Sequence, residues 1–216
     1  MSPPQNTDQF DVMRYFFCGV GGLGTLMTAH LVAQSSLEAD LEVVASEVHG
    51  MSQRGGSVQT SVLVGGARSP LIADGGADIF LGLEPLEALR YRAKIGPETT
   101  VVLNTEKVVP VTVTMGGPPY PDVGAIEETL SDMAHEVFAF NATELAAQAG
   151  TAKAANVVMI GAMCGLRAMP FEESHFREVL ERSVPDRFLE SNLRAFDAGR
   201  SAARAAMPAV DQRDVS

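Results

Sequence analysis

The sequence predicts an open, largely parallel, Rossmann-like α/β sheet with helices on both faces and helical cover at the C-terminal end. Three observations carry that expectation. Strand-like and helix-like runs alternate along most of the chain. A glycine-rich stretch, Gly19-Val20-Gly21-Gly22-Leu23-Gly24, falls where the first strand passes into the first helix. The last third of the chain is helical in pattern and includes one segment that is apolar almost throughout.

Taken in order, Val12–Cys18 reads as the first strand, and the glycine stretch leads into a helix to about Ser35. Leu23, Met27 and Leu31 stand at i, i+4 and i+8 there, one apolar face. Leu41–Val48 is valine-rich and predicts a second strand; Ser57–Val64, with its β-branched residues, predicts a third. Asp78–Leu83 is a short apolar strand, followed by Glu84-Pro85 as a helix start with proline in the first turn. Thr99–Leu103 is a fifth strand.

From Asp122, a suitable N-cap, the pattern turns helical, with Val123, Ile126, Leu130 and Met133 on one side. Val137–Phe140 predicts a last strand, and Asn141 caps a helix to Ala149. Ala154–Arg167 predicts a buried helix; Glu172–Arg182 and Pro185–Ala203 predict two closing helices. In the last, Phe188, Asn192, Ala195 and Phe196 share a side. Residues 12–203 read as one domain without an internal linker, and residues 1–11 and 204–216 as flexible ends.

Composition narrows the function. The 16 Lys+Arg against 27 Asp+Glu give a formal charge of −11, which argues against nucleic-acid backbones and anionic membrane surfaces as partners. Two cysteines, Cys18 and Cys164, cannot build a Cys₄ cluster or a disulfide framework within this chain. Val157–Leu166 is too short to span a bilayer, and the first residues lack a basic and then apolar leader, so a soluble, cytoplasmic protein is expected.

Two segments carry chemistry. In the first, Gly19, Gly21, Gly22 and Gly24 permit a tight turn whose following helix offers free N–H groups to an anion. Glu47, near the end of the second strand, would suit the ribose of a dinucleotide. Either nucleotide contact or a plain strand–helix turn is compatible with that pattern. The second segment, Ser46–Ser57, contains Glu47, His49, Gly50, Met51, Gln53, Arg54, Gly55, Gly56 and Ser57. It follows the carboxyl end of a strand, where open α/β sheets place their ligand crevice. Arg54 offers a planar fork for carboxylate or phosphate, and Gly55-Gly56 allows close backbone approach. A Glu47–Arg54 pair over a wide glycine turn is the structural alternative. His30, His135 and His175 do not stand at metal-ligand spacing. Cys18 has no evident base beside it, and Cys164 reads as core. No catalytic residue and no metal ligand is assigned to this chain.

Gly19–Gly24, followed by Ser46-Glu47-x-His49-Gly50-Met51-x-Gln53-Arg54-Gly55-Gly56, resembles the gamma-type subunit of the 2-oxoacid:ferredoxin oxidoreductases. The nearest resemblance is to the branch acting on indolepyruvate and related aryl 2-oxoacids. The likeness continues through Ser69–Ile72, Ala77-Asp78, Glu84-Pro85-x-Glu87-Ala88, Asn104-Thr105, Tyr120-Pro121 and Asn156, and reaches Asn192-x-x-x-Phe196-x-x-Gly199. One departure is Leu23, where the family usually carries glutamine. The resemblance implies a gamma-type domain over residues 12–203 in a hetero-oligomeric enzyme that decarboxylates its oxoacid oxidatively and gives the acyl group to coenzyme A. It also implies that thiamine diphosphate, Mg²⁺ and [4Fe-4S] clusters reside in a large partner subunit, which passes electrons to ferredoxin or another acceptor. The Glu47–Ser57 segment would then line the substrate or coenzyme A path or the subunit interface. Two other readings stand beside it: a stand-alone Rossmann-like NAD- or FAD-binding protein, and a purely structural assembly subunit.

Overall fold

The structure, a computed structural model, describes residues 12–49, 56–110 and 116–207, with 47–49 described in their backbone only. Six strands form one sheet: β1 (Met13–Val20), β2 (Val43–His49), β3 (Ser57–Val64), β4 (Ile79–Gly82), β5 (Thr100–Asn104) and β6 (Glu136–Phe140). Their order is β2-β3-β1-β4-β5-β6. β4, β5 and the pairs they make with β1 and β6 are parallel, whereas β3 runs antiparallel to both β1 and β2. Five strands therefore share one direction and β3 alone is reversed. The sheet is mostly parallel, as the alternation of strands and helices predicts.

Among the described residues seven helices cover it: α1 (Thr25–Glu38), α2 (Pro85–Arg90), α3 (Val123–Ser131), α4 (Ala142–Ala149), α5 (Ala155–Gly165), α6 (Glu173–Ser183) and α7 (Asp186–Ala206). The period-2 geometry of β1 divides its side chains between two cores. Tyr15 and Phe17 join Val62, Leu81 and Val102 under α1, α4, α5, α6 and α7. Phe16 and Cys18 join Leu63, Phe80, Val101 and Leu103 under α2 and α3, through Ala88, Ile126 and Leu130. Helices lie on both faces, with the heavier layer built from the C-terminal segment.

Local signals set the helix starts. Asp122 and Asn141 cap α3 and α4, their side chains accepting from Ala125 N at 3.2 Å and Glu144 N at 2.8 Å. Asn104, 3 % exposed, joins β5 to α4 by accepting from Ala142 N at 3.0 Å and donating to Leu83 O and Thr143 Oγ1, each at 3.2 Å. In the helical layer α5 and α7 approach at backbone distance. A Cβ on Gly161 would overlap the Phe196 carbonyl, and one on Gly199 the Val158 carbonyl.

A charged cluster ties α6 to α7. Arg177 Nη2 reaches Glu173 Oε1 and Asp197 Oδ1, both at 2.6 Å, and Arg200 also donates to Glu173. Partial burial opposes ionisation of Glu173, but the two guanidinium groups outweigh it and hold its carboxyl below the usual glutamate range. A depressed carboxylate contributes stability that is complete once an unfolded glutamate has ionised and is lost as pH falls through its folded value. Glu173→Gln should therefore lower the melting temperature at neutral pH, with a deficit that shrinks below about pH 4. Thermal unfolding of both proteins from pH 3 to 7 measures this; a deficit independent of pH would contradict it.

Candidate functional site

The carboxyl ends of the parallel strands gather the residues that the sequence marks. β1 extends through Val20, so Gly19 is a strand residue paired with Val58 and not part of the turn. Its missing side chain has a packing reason: a Cβ there would lie 2.7 Å from Thr25 Oγ1 and 3.1 Å from the Leu83 side chain. The turn itself is Gly21–Gly24. Gly22 and Gly24 hold φ of 110° and 85°, a region that glycine enters without a Cβ penalty.

Gly21 N donates to Gly56 O at 2.8 Å, which joins the glycine turn to the second marked segment. Gly50, Met51, Gln53, Arg54 and Gly55 lie outside the described residues. Glu47 and His49 are placed by register opposite Thr60 and Val58. With β3 between them, β1 and β2 are not neighbours. The dinucleotide arrangement that pairs Glu47 with the glycine turn on adjacent parallel strands is therefore absent.

No side chain caps the N-terminus of α1, so this 14-residue helix presents its open N–H groups and positive dipole end at the turn. Thr25, its first residue, is 3 % exposed. Its hydroxyl has no hydrogen-bond partner among the described residues. A hydroxyl left in that state favours a ligand oxygen within reach.

A buried polar network lies under the same end of the sheet, and most of it is not legible in sequence. Ser57 Oγ donates to Glu87 Oε2 at 2.5 Å and stands 2.8 Å from the Tyr91 hydroxyl. Glu84, the N-cap of α2, accepts from Glu87 N at 2.9 Å and Val108 N at 3.3 Å, and from the Tyr120 hydroxyl. The motif Glu-Pro-x-Glu marks an N-cap, a proline at N1 and an acid at N3. That signal locates the helix start, but not the partners from two distant loops. Cys18 is fully buried against this network; burial foremost, then Glu87 and Glu84, pushes its thiol well above the ordinary range. Such burial disfavours the thiolate that a nucleophile requires. Cys164 is likewise pushed up to about 12 by burial.

Beside the turn, a groove of about 310 Å³ runs between α1, the start of α5 and the α6–α7 junction. The apolar face Leu23, Met27, Leu31 borders this groove: Leu31 is fully buried in the core, Leu23 packs against that core, and Met27 is 37 % exposed. The buried residues of α1 are Thr25, Thr28, Ala29, Leu31, Val32, Ser35 and Ser36. The serine hydroxyls are satisfied one turn back on Leu31 O and Val32 O, so small polar residues can be buried there. The expected side of α7 divides similarly: Ala195 and Phe196 are buried, while Phe188 and Asn192 line the groove.

His30 and His135 are exposed and His175 is half-buried. No group of three metal-ligating side chains occurs among the described residues, and none of their helices is long and apolar enough to cross a membrane.

Comparison with known proteins adds to this geometry. The family model described as pyruvate ferredoxin/flavodoxin oxidoreductase matches residues 14–202. Indolepyruvate oxidoreductase subunit IorB of Archaeoglobus fulgidus is 41 % identical over 192 residues, covering 89 % of this chain and 96 % of the relative. The gamma subunit of a keto/oxoacid ferredoxin oxidoreductase from Geobacter sulfurreducens superposes with a TM-score of 0.66 at 23 % identity, over 90 % of this chain and 99 % of that one. A 2-oxoglutarate:ferredoxin oxidoreductase from Magnetococcus marinus, solved with 2-oxoglutarate, coenzyme A and succinyl-CoA, gives 0.69 at 23 % identity; the match covers 92 % of this chain and 32 % of that one.

Proposed function

Because this chain belongs to the pyruvate ferredoxin/flavodoxin oxidoreductase family, we propose that it is the small subunit of an indolepyruvate-type 2-oxoacid:ferredoxin oxidoreductase and forms its coenzyme A path. The partner would be a large subunit holding thiamine diphosphate, Mg²⁺ and [4Fe-4S] clusters. That enzyme decarboxylates an aryl 2-oxoacid, passes two electrons to ferredoxin or another acceptor, and leaves the acyl group on coenzyme A.

The observation that carries this reading is the junction of the two marked segments. The Gly21–Gly56 hydrogen bond sets Gly56, and with it the end of the marked segment at Ser57, beside the open start of α1, where the Thr25 hydroxyl has no hydrogen-bond partner among the described residues. A helix N-terminus with a spare hydroxyl is suited to a diphosphate oxygen. In this reading Arg54 serves as a cation, His49 and Gln53 as polar groups, and Glu47, Gly50, Met51, Gly55, Gly56 and Ser57 as the remaining contacts to coenzyme A or to the partner. The chain holds no thiamine site of its own in this reading; it orients coenzyme A and closes the cavity against the partner, and it is inactive alone.

The test is Arg54→Ala and Thr25→Val in the complex purified with its large subunit. Removing the guanidinium should raise the coenzyme A KM by about tenfold or more, the scale of a charge-assisted hydrogen bond. Removing the hydroxyl should raise it severalfold. Iron, sulfide and thiamine should be found with the large subunit. Unchanged turnover, coenzyme A dependence and assembly in both variants would refute the reading. Isolation as a partnerless chain that binds NAD or FAD would favour the stand-alone alternative.

A further inference from the structure

Part of the α2 network has no place in the coenzyme A path described above. Glu87 is 5 % exposed and Tyr91 half-buried, and both direct polar atoms at Ser57, the last residue of the second marked segment. The topology shows what they hold. β1 and β4 are parallel neighbours, and Leu83 N still donates to Cys18 O at 2.8 Å where the two strands end. From there the chain of β1 passes into α1 on one face of the sheet, and that of β4 into α2 on the other. Open sheets place their ligand crevice where neighbouring connections part in this way. The glycine turn belongs to one wall of that crevice and α2 to the other.

Ser57 bridges the two walls. It pairs with Val20 at the end of the β1–β3 ladder, the last pair before the turn. Its hydroxyl has one proton, which goes to Glu87 Oε2 at 2.5 Å, so the Tyr91 phenol, 2.8 Å away, is the donor to Ser57 Oγ. One residue back, Gly56 O accepts from Gly21 N at 2.8 Å. A continuous chain of bonds therefore runs from α2 through Ser57 and Gly56 into the turn. Its α2 end is fixed. The Tyr91 ring packs on Phe16 with centroids 5.7 Å apart, and Arg90 Nε reaches the second Glu87 oxygen at 3.3 Å. Gly56 brings no side chain to restrain its own carbonyl, so the direction of that carbonyl depends on how Ser57 is held.

We propose that Glu87 and Tyr91 are positioning residues for the glycine turn. By holding Ser57 they keep the Gly56 carbonyl on Gly21 N, and with it the turn in the conformation that presents the start of α1. The proposal rests on the reading that coenzyme A reaches this turn. It accounts for the acid that α2 buries at its third residue, since the cap of that helix is supplied by Glu84 and needs no second carboxylate.

The experiment compares the parent with Glu87→Ala, Ser57→Ala, Ser57→Thr and Tyr91→Phe in the complex purified with its large subunit. Two quantities are read: amide hydrogen exchange in the peptide spanning Gly21, and KM and kcat with coenzyme A as the varied substrate. Glu87→Ala and Ser57→Ala should speed exchange at Gly21 by about tenfold while the interior of β1 is unchanged. They should raise the coenzyme A KM by about three- to tenfold, with kcat within about twofold of the parent. Tyr91→Phe should move both readouts less. Ser57→Thr keeps the hydroxyl and suits a strand, so it should restore both. A merely structural loss would instead speed exchange along all of β1 and lower the Tm. The comparison therefore uses variants melting within about 4 °C of the parent, and Ser57→Ala and Tyr91→Phe serve if Glu87→Ala does not fold. Unchanged exchange at Gly21, or faster exchange with an unchanged coenzyme A KM, overturns the positioning role. If Arg54→Ala still raises the coenzyme A KM in that case, the function stands and only the anchor is lost. If the Arg54 and Thr25 variants are also without effect, both readings fail together.

Discussion

Gly199→Ala should destabilise the chain by about 3 kcal/mol or more, and lower its Tm by roughly 10 °C. Gly199 on α7 faces α5, where the new methyl would overlap the Val158 carbonyl oxygen and crowd Ala162 N. The groups in the way are backbone, so no rotamer change can clear them. Separating the helices would also open the contact at Gly161 against the Phe196 carbonyl, and that at Gly165, where a Cβ would lie 2.6 Å from Arg200 O. Ala195, Phe196 and Ala203 are fully buried in the same interface and would lose packing as the gap widened. Thermal unfolding followed by circular dichroism measures the effect, with exposed Ala205→Ser on the same helix as the reference. A Tm within about 2 °C of the parent would show that α5 and α7 do not approach at backbone distance.

Those glycines show what sequence could and could not convey. The buried helix Ala154–Arg167 was legible from its hydrophobicity, and α5 occupies Ala155–Gly165 within it. Nothing in one sequence tells a packing glycine from a tolerated one. Ser57–Val64 reads as a strand and is β3 to the residue. Its reversed place between β1 and β2 depends on connections whose pairing is not encoded in either strand's own pattern. The end of β1 was placed two residues early because Gly19 looks like a turn residue; ladder pairing to Val58 overrides that preference. On α1 the apolar period identified a helix and one core residue, Leu31, but not the small polar residues buried beside it. Thr28, Ser35 and Ser36 bond to the preceding turn and are buried, while Leu23 and Met27 are left for the groove.

The glycine turn and the Ser46–Ser57 segment were both legible as candidate sites. Their junction through Gly21 and Gly56 is a long-range fact that only the fold supplies. Asn156 and Asn192 belonged to the resemblance, with no sign that they face one groove. The α2 network was least legible, because its acids look like ordinary members of an exposed helical turn until Ser57, Tyr91 and Tyr120 arrive from elsewhere in the chain.

That network has the second large expected effect. Glu84→Ala should cost about 3–5 kcal/mol, because the carboxyl is an acceptor for two backbone N–H groups and a phenol at 1 % exposure. Truncation leaves all three donors without it, and it loosens both the start of α2 and the contacts made by Val108 and Tyr120. Glu84→Gln should fall between alanine and the parent. It keeps one carbonyl oxygen but turns an NH₂ group toward a donor. Tyr120→Phe removes one donor and leaves the two backbone bonds, so about 1 kcal/mol is expected. The double variant Glu84→Ala/Tyr120→Phe should cost less than the sum, since the phenol has already lost its acceptor. The pH dependence is opposite to that of Glu173. Burial outweighs the hydrogen bonds and raises the Glu84 carboxyl above the ordinary glutamate range. The folded state therefore takes up this proton more readily than the unfolded chain, and the contribution of Glu84 weakens as pH rises through that window. The stability gap between the parent and Glu84→Gln should be widest in acid and narrow toward neutral pH, whereas the Glu173→Gln gap closes in acid. Denaturant melts of both variants across the same pH series compare the two carboxylates directly. Parallel pH profiles would contradict the opposite assignments of burial to one and guanidinium pairing to the other.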